Sequence, residues 1–130
     1  MARKYKKKTP KRKIKDKLDK EWSKAVKERV GWVCEKCGND TGLNSHHIFG
    51  RRNLSVRWDL ENGVSLCVAC HKYGKGSAHE NPMEFADWIR EVRGDEWYDL
   101  LRLKANTIKK WNLDEMEFLL FNLTGIEDGS

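Results

Sequence analysis

No run of about 18 apolar residues occurs anywhere in the 130-residue chain, so an apolar membrane-spanning helix is excluded. Proline appears twice and glycine ten times, too little for a collagen-like or low-complexity chain. The first 13 residues, MARKYKKKTPKRK, contain no acid, and no apolar segment follows them. A secretory signal is therefore not expected, and a cytoplasmic protein with reduced thiols is. Cysteine and histidine are absent outside residues 34–79.

What is present is unevenly distributed. Residues 1–30 hold 14 Lys/Arg against 4 Asp/Glu, while residues 31–130 hold 12 against 16. A mildly acidic body thus carries a strongly basic arm, and such an arm suits a polyanion, most simply nucleic acid. Residues 1–13 lack the apolar surface to order themselves and are expected to be disordered. Over 14–31, Ile14, Leu18, Trp22, Val26 and Val30 recur every fourth residue, predicting an amphipathic helix docked by that stripe. Its basic outer face is free for phosphate. Residues 32–79 are rich in glycine and show no long period, which predicts a loop-rich module. Short strands are expected near 43–47 and 63–66, with a helix from about 68 to Gly74. Residues 80–130 return to helical patterning. Asn81 and Pro82 open one helix, Gly94 breaks it, a second carries Trp97, Leu100 and Leu101, and a third spans 113–123. The core is expected to be small.

All four cysteines lie in two C-x-x-C pairs, Cys34/Cys37 and Cys67/Cys70. A two-residue gap lets both thiolates of one tight turn face a single ion, and Gly38 suits the backbone such a turn requires. Two knuckles complete a four-cysteine set, for which a structural zinc ion is the default. A closed site of this kind offers no open position for chemistry but supplies folding free energy. The 29 residues between the pairs exceed the usual spacing of about 15–20. The insertion holds His46, His47 and Asn62, and His71 directly follows Cys70.

The string SHHIFGRR, then Asn62 fifteen residues after His47, then His71 nine residues later in LCVACHK, resembles the HNH endonuclease family. The knuckles resemble its phage-type subclass. The resemblance covers about residues 32–79. It implies an α+β protein with a ββα-metal (HNH, His-Me finger) core stapled by the four-cysteine zinc site, flanked by N-terminal and C-terminal helices. It implies metal-dependent hydrolysis of phosphodiester bonds in double-stranded DNA, nicking one strand per site. His46 is then a ligand of the catalytic divalent ion, His47 the general base, Asn62 the residue that holds the loop around the base, and His71 a second ligand. Adjacent residues of a strand point to opposite faces, which allows the two histidines these separate roles. The ion itself stays open among Mg²⁺, Mn²⁺, Ni²⁺ and Zn²⁺.

Two ligands are few. The position four residues after His71 is Lys75, leaving His79 as the candidate third ligand, with a surface or substrate-contact histidine as the other reading. Gly74 and Gly76 would let the chain turn back for it. Arg51 is assigned to a phosphate flanking the scissile bond, and Arg52 and Arg57 either join it or pair with Asp59 or Glu61. A monomer without a membrane partner is expected. The competing readings are a non-catalytic zinc-dependent DNA-binding module and an accessory protein docked to a phage terminase or portal.

Overall fold

The computed structural model describes residues 7–125. Helix α1, Pro10–Arg29, begins four residues earlier than the apolar stripe suggests. Thr9 caps it by accepting from the Arg12 N–H at 3.2 Å, and Pro10 occupies the first turn, where its missing N–H costs nothing. Residues 10–13 are therefore helical rather than disordered. The rest of the expected basic arm includes residues 1–6, which lie outside the described residues.

The expected strands form at β1, Leu43–His47, and β2, Gly63–Cys67. They pair antiparallel, with Leu43 opposite Cys67, His46 opposite Val64 and His47 opposite Gly63. Every residue of β2 is buried, because both faces of this two-stranded sheet are covered. On one side α1 docks through Leu18, Trp22 and Val26. On the other, Val64 and Leu66 pack with Phe85 and Ile89 of α2, Pro82–Arg93. Gly63 is what allows α1 so close: a Cβ there would stand 2.4 Å from Val26 Cγ2.

After β2 the expected helix is reduced to one π-helical turn, Ala69–Tyr73, closed by the Gly74 N–H on the Ala69 carbonyl at 2.6 Å. The fold is mixed α+β with a two-stranded antiparallel sheet, and the third element of a ββα unit is only this turn. The C-terminal helices match expectation. Gly94 ends α2, α3 spans Asp95–Ala105, and α4 spans Leu113–Thr124. Asn81 precedes α2 but makes no side-chain cap bond.

Helix α4 lies along α1 and completes a cluster of Leu18, Trp22, Val26, Trp58 and Met116. Helix α3 covers the loop after β1 through Val56, Leu101 and Ala105. Trp58 is loop core, as its position suggested. Among the described residues, no helix is long and apolar enough to cross a membrane.

Candidate functional site

The first knuckle is a tight turn. The Gly38 N–H reaches the Cys34 carbonyl at 2.8 Å, and Gly38 itself takes φ +82°, a conformation L side chains rarely adopt. The second knuckle starts at the end of β2 and runs into the π-turn. Hairpin pairing brings the two together. All four thiols are free, and their sulfurs lie within 4.8 Å of one another. Cys37 Sγ and Cys67 Sγ are 3.5 Å apart. Sulfurs around a tetrahedral zinc at about 2.3 Å stand about 3.8 Å from each other. The four cysteines are thus close enough to hold a metal ion, and the donor set is compatible with zinc. Cys67 is the thiol most ready to ionise, lowered to about 7: burial opposes this, but the Cys70 backbone N–H and the neighbouring thiols outweigh it.

A second cluster forms from histidines. His71 on the π-turn places Nε2 3.2 Å from His46 Nδ1 and 2.9 Å from His79 Nε2. Nitrogens bound at about 2.0–2.1 Å to one ion stand about 2.9–3.4 Å apart, for bond angles between octahedral and tetrahedral. His79 arrives by the route its glycines allowed. Gly76 turns at φ +76°, and the N–H groups of Ala78 and His79 then bond the carbonyls of Cys70 and His71 at 3.0 Å each. Three imidazoles aimed at one point cannot all be charged. Burial, then the charges of its neighbours, pushes His46 down to about 3, and burial with His79 brings His71 to about 4. Ring nitrogens of His46, His71 and His79 therefore form a cluster close enough together to hold a metal ion. Lys75 takes no part in it.

His47 stands apart from this cluster. Its Nε2 bonds the Arg57 carbonyl at 2.9 Å. A carbonyl only accepts, so Nε2 carries the proton and Nδ1 is left as an acceptor. The ring stacks on Trp22, with centroids 3.9 Å apart and planes 12° from parallel. Burial holds His47 below the usual imidazole range; the charges of Arg51 and Arg57 add to this, and the Arg57 carbonyl opposes it.

Asn62 is fully buried at the end of a short 3₁₀ turn, Leu60–Asn62. Its Oδ1 accepts from the Phe49 N–H at 2.7 Å, and its Nδ2 donates to the carbonyls of Phe49 at 2.9 Å and Val56 at 3.1 Å. It therefore closes the 49–56 loop on itself, immediately before the Arg57 carbonyl that holds His47. A side-chain amide meets this arrangement because its oxygen accepts while its NH₂ offers two donors.

Two residues of this site were not visible as such in the sequence. Trp22 belongs to the stripe expected to dock the helix, and Asp19 is not marked out by any motif. The Asp19 carboxylate accepts from Arg57 at 2.8 and 3.0 Å, from Arg51 at 2.9 Å and from Trp58 Nε1 at 2.8 Å. Arg51 and Arg57 thus pair with Asp19 rather than with Asp59 or Glu61. The Arg57 side chain is mostly buried in this clamp, whereas Arg51 stays 59% exposed. Arg52 is exposed and does not line the cleft. The only available signal was position: Asp19 adjoins the buried Leu18 and precedes Trp22 by one turn.

His46, His47, His71 and His79 line one open cleft of about 460 Å³ with Asp19, Trp22 and Arg51. Comparison with protein-family models, with curated proteins and with solved structures finds no match.

Proposed function

We propose that this chain is an HNH-type endonuclease that hydrolyses phosphodiester bonds of DNA, nicking one strand per event. One observation carries the reading. Three histidines close enough to hold a metal ion, and a fourth whose Nε2 is pinned on a carbonyl, line the same cleft.

In this reading His47 Nδ1 takes a proton from water as the water oxygen attacks phosphorus. The Arg57 carbonyl fixes the tautomer that leaves Nδ1 unprotonated, Trp22 fixes the ring plane, and Asn62 fixes the loop that presents the carbonyl. Arg51 is the exposed guanidinium at the cleft and binds a phosphate oxygen. His46, His71 and His79 would hold a divalent ion, which would supply Lewis-acid stabilisation of the negative charge on the phosphate. The products are a 5′-phosphate and a 3′-hydroxyl. The four-cysteine set takes a structural zinc ion, because four thiolates leave no position for water.

Supercoiled plasmid treated with zinc-loaded protein and Mg²⁺, Mn²⁺, Ni²⁺ or Zn²⁺ tests the assignment. Open circles are expected before linear product, with EDTA abolishing the reaction. His47→Ala is expected to lose about 100-fold or more in rate, the usual worth of a general base. Equal cleavage by the variant, or no cleavage by folded wild type with any ion, overturns the reading. The second result would leave a DNA-binding module or a terminase accessory protein.

A further inference from the structure

Helix α1 builds the cleft with one face and presents a second, uncommitted face. Lys13, Lys17, Lys20 and Lys24 follow at spacings of four, three and four. At about 100° per residue they fall within an arc of about 60°, diametrically opposite the buried Leu18–Trp22–Val26 stripe. All four are exposed, and among the described residues none enters an ion pair. Four like charges at this spacing repel one another along the helix, which gives a cost and no return within the fold.

The arc has a side. Ser23 lines the cleft and stands about 60° round the helix from Lys20, so the lysines begin at the cleft lip. The acids on that flank are already paired, Asp16 with Lys8 at 2.7 Å and Arg12 at 3.4 Å, and Asp19 with Arg51 and Arg57. Glu21 and Glu28 fall on the far flank. The lysine arc thus borders the cleft on the Ser23 side, and within the cleft the Asp19 charge is paired with Arg51 and Arg57. From Lys13 to Lys24 is about 16 Å of helix. One strand of duplex DNA presents a phosphate every 3.4 Å or so of axis, so this length faces about five phosphates.

We propose that Lys13, Lys17, Lys20 and Lys24 form a phosphate-binding rail that holds the backbone of duplex DNA across the cleft lip. The choice of DNA as the polyanion rests on the nuclease reading. The rail itself rests on the unpaired lysine face and its place beside the cleft.

The test is binding of a 20-base-pair duplex of arbitrary sequence, measured across salt concentrations, for wild type and for the combined Lys13→Gln, Lys17→Gln, Lys20→Gln, Lys24→Gln variant. Glutamine is a good helix former and the side chains are exposed, so α1 is expected to persist, and circular dichroism checks this. The slope of log affinity against log salt should fall by about 2 to 4, at about 0.9 for each phosphate that is no longer neutralised. The control Arg102→Gln with Lys110→Gln, in the C-terminal helical region, should shift it by less than about 0.5. An unchanged slope in the rail variant overturns the rail and points to an acidic protein as the occupant of this face. An equal shift per charge in the control overturns it in favour of diffuse attraction. The two readings fail separately. Plasmid nicking with an unchanged slope removes the rail alone, and a reduced slope without nicking in wild type removes the nuclease alone.

Discussion

The Asp19 carboxylate compensates two guanidiniums and one indole N–H at once, and through Arg57 it reaches the backbone group that sets the His47 tautomer. Its acid strength reflects this. Burial raises its pKa, but the bonds from Arg57 and Trp58 outweigh burial and hold it below the usual carboxylate range. A carboxylate with a depressed folded pKa contributes stability that is present above its unfolded value of about 3.9 and is lost as pH falls through the folded value. Asp19→Asn leaves Arg57 a partly buried charge without its partner, a loss of about 1–3 kcal/mol at pH 7. Urea denaturation of wild type and variant should show that gap down to about pH 5 and a narrowing below about pH 4. A gap independent of pH would mean that Asp19 acts through packing alone. Plasmid nicking by the variant should slow, because Arg57, whose carbonyl sets the His47 tautomer, loses its side-chain partner.

At the scale of elements, α1 packs tightly on the first residue of β2. Gly63 has an ordinary extended backbone, φ −113°, so conformational freedom does not explain it. Space does: an added Cβ meets Val26 Cγ2 at 2.4 Å and Trp22 Cζ2 at 2.8 Å. Gly63→Ala should cost about 1–3 kcal/mol through overpacking and slow nicking, since Trp22 is the plate on which His47 rests. Gly50→Ala, with nothing within 4 Å of the new Cβ and no positive φ, is the control and should change stability by less than about 0.5 kcal/mol. Similar urea midpoints for the two variants would show that α1 is free to shift. These tertiary approaches mark where the sequence stops being legible. The knuckles and the C-terminal helices follow from local spacing, capping and period, and the strands expected near 43–47 and 63–66 form, the second running one residue further to Cys67. His79 follows from ligand chemistry and two glycines. The π-turn does not, because its geometry serves the convergence of Cys67, Cys70 and His71 rather than any period. Asp19 does not either, since its partners lie 32 to 39 residues away. The early start of α1 was written in Thr9-Pro10, but a run of basic residues concealed it.

At the scale of the whole molecule, the apolar interior of the described residues is divided into three small clusters rather than one core. Cys34 and Cys67 are 2% and 3% exposed and belong to the cluster that joins β2 to α2. The same side chains thus belong both to the core and to the set close enough to hold a metal ion, so the binding energy of an ion held by the four thiolates would be folding energy. The histidine set differs: His79 is exposed, and these rings line the cleft rather than fill the interior. The two clusters should thus separate in a metal-removal experiment. A strong chelator is expected to lower the urea midpoint of wild type, by more than about 3 kcal/mol in stability. Cys67→Ser should start from that lowered value and lose nothing further to the chelator. His71→Ala should give up metal at the cleft and its nicking activity, yet keep one zinc per chain and most of its stability. A wild-type midpoint indifferent to chelation, with the zinc demonstrably gone, would show that the apolar clusters suffice and that the thiols are not the staple of this fold. Loss of both ions from His71→Ala would show instead that the π-turn couples the two sites, since Cys70 and His71 are neighbours on it.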